Sequence, residues 1–192
     1  MKKLSIIGAL FTFCLLISGL ADAYEFSADT IFTSEGQKMT GKIFSKSDKS
    51  RMEMNTQGHQ MIMISRMDKK VAWNIMPDQK MYMEMPIDPK KHSPKTEIKG
   101  EVERKQVGTE TIDGHPTNKY LVTFKEGAET MQAYQWMATD INFPIKSADI
   151  NNKWVQEYKN VKMGAQPDSL FELPPGYKKM QMPTMPGSRA IK

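Results

Sequence analysis

A chain of 192 residues with 39% hydrophobic residues, 26% charged residues and a net charge of +5 has an ordinary globular composition. These figures exclude a disordered polyelectrolyte and a multi-span membrane protein, and the length suits one domain. Seventeen methionines against a single cysteine set the chemistry apart.

Residues 1–23 have the form of a cleavable secretory signal. Lys2 and Lys3 are the basic start, Leu4 to Leu20 is uncharged and apolar, and Ala21-Asp22-Ala23 is a small-x-small cleavage pattern. The apolar run sits at the bottom of the spanning range. Cys14 lies inside it, preceded by Phe11-Thr12-Phe13 rather than the small residues of a lipoprotein signal. Cleavage after Ala23 predicts a periplasmic or secreted chain with no transmembrane span and no cysteine, hence no disulfide, thiol nucleophile or thiolate metal site. The mild positive charge, without an Arg/Lys stripe and interleaved aromatics, predicts no nucleic-acid partner.

From Tyr24 onward the pattern is short alternating segments separated by turn residues, which reads as all-β. Strands are predicted over 24–33, 37–45, 50–56, 60–66, 71–76 and 80–85, and then over 101–109, 117–125, 130–138, 143–149 and 153–162. The early turns are Glu35-Gly36, Ser47-Asp48, Gln57-Gly58, Asp68-Lys69 and Asp78-Gln79. Treating each as a tight hairpin fixes a register. Phe32 then faces Met39, Ile43 faces Met52, Met52 faces Met63, Met54 faces Met61, Met61 faces Met76, and Met76 faces Met81.

These registers gather Phe26, Ala28, Phe32, Met39, Ile43, Met52, Met54, Met61, Met63, Met76, Met81, Met83 and Met85 on one face. Ser27, Asp29, Lys38, Thr40, Lys42, Arg51 and Glu53 lie on the other, which is wet. On strands four to six that second face carries Ile62, Ile64, Val71, Trp73, Ile75 and Tyr82, so something must cover it there. Residues 86–96 are a Pro/Lys-rich loop, a lid or a plain connector. Residues 24–177 are the expected domain, and 178–192 a flexible tail.

No catalytic motif is present. His59, His92 and His115 lack zinc-type spacing, and there is no nucleophile elbow or phosphate-cradling glycine loop. The chain is therefore expected to be no enzyme and to need no cofactor. The methionine face has three readings. It is a core in which Met replaces Leu, an adaptable lining for an apolar ligand, or a thioether site for Cu(I) or Ag(I). Strands favour β-branched and aromatic residues, so this much Met is costly unless plasticity is wanted.

Gly41-Lys42-Ile43-Phe44, Arg51-Met52-Glu53-Met54, Asp68 to Ile75 with Pro77, and Lys80-Met81-Tyr82 together resemble the LolA-like periplasmic lipoprotein and lipid carriers. Asp168 to Tyr177 looks like their closing strand and Pro-Gly turn. Gly108 to Pro116 with Lys119-Tyr120 looks like a hallmark of a secreted branch. The resemblance implies an antiparallel sheet of about eleven strands curled into an open half-barrel, with acyl chains on its concave face. The carriers' leading helix is missing before the first strand, which points to a simpler binder than a shuttle. The expected ligand-binding residues are Phe26, Phe32, Met39, Ile43, Met52, Met54, Met61, Met63, Met76, Met81, Met83 and Met85. The expected partners are lipid or lipoprotein acyl chains and an envelope protein. A structural envelope protein is the third class.

Overall fold

A computed structural model describes residues 25–56, 58–88, 98 and 100–180. The signal segment 1–23, most of the 86–96 loop and the tail beyond 180 lie outside the described residues. The described part is one twelve-stranded sheet: β1 (Phe26–Ser34), β2 (Gln37–Lys46), β3 (Lys49–Thr56), β4 (His59–Arg66), β5 (Val71–Met76), β6 (Met81–Pro86), β7 (Glu101–Ile112), β8 (His115–Glu126), β9 (Glu129–Ala138), β10 (Phe143–Asp149), β11 (Trp154–Met163) and β12 (Lys178–Lys179). The order across the sheet is β12-β6-β5-β4-β3-β2-β1-β11-β10-β9-β8-β7. It is two meanders joined where β1 pairs with β11. All pairings are antiparallel except β12 with β6. The outermost strands do not meet, so the sheet is an open half-barrel, as the resemblance implied.

Turn chemistry sets the registers. Glu35-Gly36 and Asp113-Gly114 hold both residues at positive φ, the arrangement that matches the twist of paired strands. Phe32 pairs with Met39, Ile43 with Met52, Met52 with Met63, Met54 with Met61, and Met76 with Met81, all as expected. The β4–β5 ladder runs from Ile62↔Ile75 in the same expected register. Two loops are longer than assumed: Pro77–Gln79 is a 3₁₀ turn, and Met67–Lys70 closes on two i to i+3 bonds. Neither shifts its register. Gly41 lets β3 approach closely, since a Cβ there would lie 2.1 Å from the Glu53 carbonyl oxygen.

The face bearing Phe26, Ile43 and Met52 is here the inner face. Its closed part centres on β1–β3 and reaches the far meander, where Phe143 stacks edge-on against Phe26 at 4.8 Å and against Tyr158 at 5.3 Å. A second core lies on the outer face of β4–β6. Ile62, Ile64, Trp73, Ile75 and Phe171 are buried there, with Phe44, Val71, Tyr82, Leu170, Leu173 and Tyr177 around them. The cover that the sequence demanded is therefore the C-terminal segment 168–177. One expectation is corrected here. Asp168–Phe171 is a 3₁₀ turn rather than a closing strand, and its task is to seat Phe171. Strand pairing comes later, where Lys178–Lys179 add to β6 through bonds from the Lys178 and Met180 amides to the Lys80 and Tyr82 carbonyls.

Candidate functional site

Alternation on β1 to β6 puts the predicted site residues on one face, but burial divides them. Phe26, Phe32, Ile43, Met52 and Met54 are each 9% exposed or less and belong to the inner core, with Met39 packed against it. Met61, Met63, Met76, Met81, Met83 and Met85 are half-buried and belong to neither core. They form a strip across β4, β5 and β6.

Three register rows build that strip. One runs Ile43–Met52–Met63–Asn74–Met83, the next contains Met54–Met61 and Met76–Met81, and the third ends Ser65–Ala72–Met85. Directly opposed strand residues stand about 4.5–5.5 Å apart at Cβ, which brings neighbouring thioether arms within reach of one another. Asn74 sits among them, 8% exposed, and its Oδ1 has no hydrogen-bond partner. His59 borders the strip at the exposed start of β4, with Nδ1 3.2 Å from Asp78 Oδ2. Among the described residues, no group of three or more His, Cys, Asp or Glu is placed to hold a metal ion.

On the back of these strands a cationic clamp fastens the cover. Arg66, 4% exposed, donates to the Phe171 carbonyl at 3.1 Å, to both oxygens of Asp68 at 2.8 and 2.5 Å, and to Glu172. Arg51 donates to the Leu170 carbonyl at 3.1 Å, Lys49 to Asp168 at 3.0 Å, and Lys69 to Glu172 at 3.0 Å. Lys49 and then Lys46 hold the Asp168 carboxyl below its ordinary pKa. Arg66 and then Lys69 do the same for Glu172, and Arg66 for Asp68. Trp73 donates Nε1 to Glu84 at 3.1 Å, which makes it a packing residue of the outer core.

The far meander is more polar. Gln156 donates to Thr30 Oγ1 at 2.6 Å, and its own Oε1 is unpartnered. Arg104 is fixed by both Glu101 oxygens and by Gln135 at 2.7 Å. A cleft of about 390 Å³ opens beside it, lined by Arg104, Asn118, Tyr120, Met137, Ala138, Thr139 and Asn142. None of the expected ligand residues lines this cleft. Trp136 is buried under Lys119 and Lys146, with Nε1 2.5 Å from Glu110 Oε1. Sequence reasoning missed Asn74, although its place was readable: in the register that pairs Met63 with its neighbour, position 74 must share the methionine face.

The family model described as "Domain of unknown function (DUF4412)" matches residues 29–142. No curated protein matches the sequence. An uncharacterized conserved protein from Thermus thermophilus superposes with a TM-score of 0.61 at 10% identity, over 90% of this chain and 98% of that one. The MucA/MucB complex of Pseudomonas aeruginosa gives 0.53 at 15% identity, over 85% of this chain and 60% of that one. A LolA superfamily protein from Nitrosomonas europaea gives 0.33 at 11% identity, over 83% and 96%. At these identities the likeness is one of fold alone, shared with the two structures that superpose above 0.5.

Proposed function

The chain belongs to the DUF4412 family, and we propose that it is an exported, non-catalytic binding protein that holds acyl chains of a lipid or lipoprotein on the inner face of β4–β6. The observation that carries this reading is the strip of Met61, Met63, Met76, Met81, Met83 and Met85. It is half-exposed, contiguous, and claimed by neither core. Methionine is unbranched and polarizable, so such a strip refits to chains of differing length and kink. Burial supplies the affinity at about 25 cal/mol per Å² of apolar surface, so no polar motif is needed to retain a chain.

In this reading residues 1–23 direct export, and Phe26, Phe32, Met39, Ile43, Met52 and Met54 form the closed wall beside the strip on the same face. An envelope protein as partner is supported by the shared fold of MucB, which is itself found in complex with MucA. The test is native mass spectrometry on the full-length gene product purified without detergent. A heterogeneous adduct that extracts into organic solvent as acyl lipid is the expected result. A bare mass that acyl lipid leaves unchanged would contradict the proposal, and a discrete copper-mass adduct would replace it with thioether metal capture.

A further inference from the structure

Asn74 has no reason to be polar if the strip serves hydrocarbon alone. It lies in β5, paired with Met63 on one side and Met83 on the other, and is only 8% exposed. Its Oδ1 is sealed from solvent and accepts no hydrogen bond. Buried polar atoms are almost always paired, and an acceptor left alone costs free energy. Gln156 presents a contrast. Its Oε1 is also unpartnered, but its amide nitrogen is tied to Thr30 Oγ1 and to the Glu157 carbonyl, inside the closed half. Asn74 is instead flanked across the ladders by Met63 and Met83, half-buried and unbranched, whose arms rotate readily.

Resting on the apolar-ligand reading above, we infer that the ligand carries an O–H or N–H donor on its chain or at its junction with the headgroup, and that Asn74 Oδ1 accepts it. Rotation of the neighbouring methionines opens the oxygen as the chain enters. A hydroxylated acyl chain and the amide of an N-acylated lipid or lipoprotein share this chemistry. A plain ester or hydrocarbon does not. A site built to pair a donor rejects the analogue lacking it, because the acceptor then stays buried and unpaired.

The test is competition against a fluorescent acyl-chain probe, using 1-hexadecanol and methyl hexadecyl ether, which differ by the donor. On wild-type protein the alcohol is expected to compete at about tenfold lower concentration. In Asn74→Leu the two are expected to compete equally, and the ligand-free urea midpoint to rise, since an unpaired acceptor has been replaced by an apolar group. Equal competition on the wild type overturns the inference without any variant. A preference retained in Asn74→Leu, or a lowered midpoint, overturns it as well. Failure of the probe itself to bind the wild type is a different result: it removes the apolar-ligand reading on which this rests.

Discussion

On β1–β3 the inner face is closed and the outer face is wet; on β4–β6 the outer face is the closed one and the inner face stays half-open. Phe26 and Ile43 are 0% and 1% exposed on the inside of the first group, while Asp29 and Lys42 pair at 2.7 Å on its solvated outside. In the second group Ile64 and Ile75 are fully buried on the outside, under Phe171, while the methionines inside stay half-open. The hydrophobic core thus crosses the sheet between β3 and β4. A strand needs one buried face to be stable. Once the C-terminal segment supplies that face from behind, the inner face of β4–β6 is released from the duty of holding the fold, and is available for a ligand.

The sharpest break of this contrast is a pair of truncations on the same inner face. Phe26→Ala should cost about 3–5 kcal/mol, as a large buried aromatic does. Met83→Ala, at the open end, should cost under about 1 kcal/mol. Urea unfolding measures both, and equal costs would mean that the strip is core after all. Next in size is Arg66→Met. It strands the Phe171 carbonyl and frees Asp68 and Glu172, for an expected loss of about 2–3 kcal/mol. Its signature should be regional, with early proteolysis in 168–177 while β1 and β11 stay paired.

A smaller effect is expected from acid. Asp68, Asp168 and Glu172 have pKa values lowered by their basic partners in the folded protein. A lowered carboxyl pKa contributes stability that is fully present above the unfolded value of about 4, and is lost as pH falls through the folded value. The cover should therefore hold unchanged between about pH 5 and 8 and loosen only below about 4. Trp73 fluorescence, read against the buried Trp136 in single-tryptophan variants, would follow it. Loss of the outer core at neutral pH would contradict the clamp.

The hairpin registers were legible because each early turn carries its own chemistry, and a one-residue slip would have sent Met52 and Met54 to the wet side. The need for a cover over Ile62, Ile64, Trp73 and Ile75 was legible for the same reason. Its identity was not, because the contacts from Arg66 and Arg51 to residues 170–172 span more than a hundred positions and leave no local pattern. The split between buried Met52 and Met54 and half-open Met61 and Met83 was hidden too. A filled core and an open groove require the same alternation, and only the packing of Phe143 and Tyr158 against the β1 side separates them. Asn74 went unseen because the face was assembled from its apolar members alone. The bulges at Pro144/Lys146 and Gln106/Gly108 reshape the far meander, and their proline and glycine sit within segments that read as plain strands.

Whether the inner face of β4–β6 is free to bind is measured most directly by titration of a fluorescent acyl-chain probe into wild-type protein and into Met61→Lys/Met83→Lys. Both substituted residues are half-exposed, so the charges reach water without entering a core. The predicted result is a loss of probe affinity of at least tenfold, with a urea midpoint close to that of the wild type. Undiminished binding by the double variant would contradict the account and move the ligand site elsewhere, with the cleft beside Arg104 and Tyr120 the first place to look.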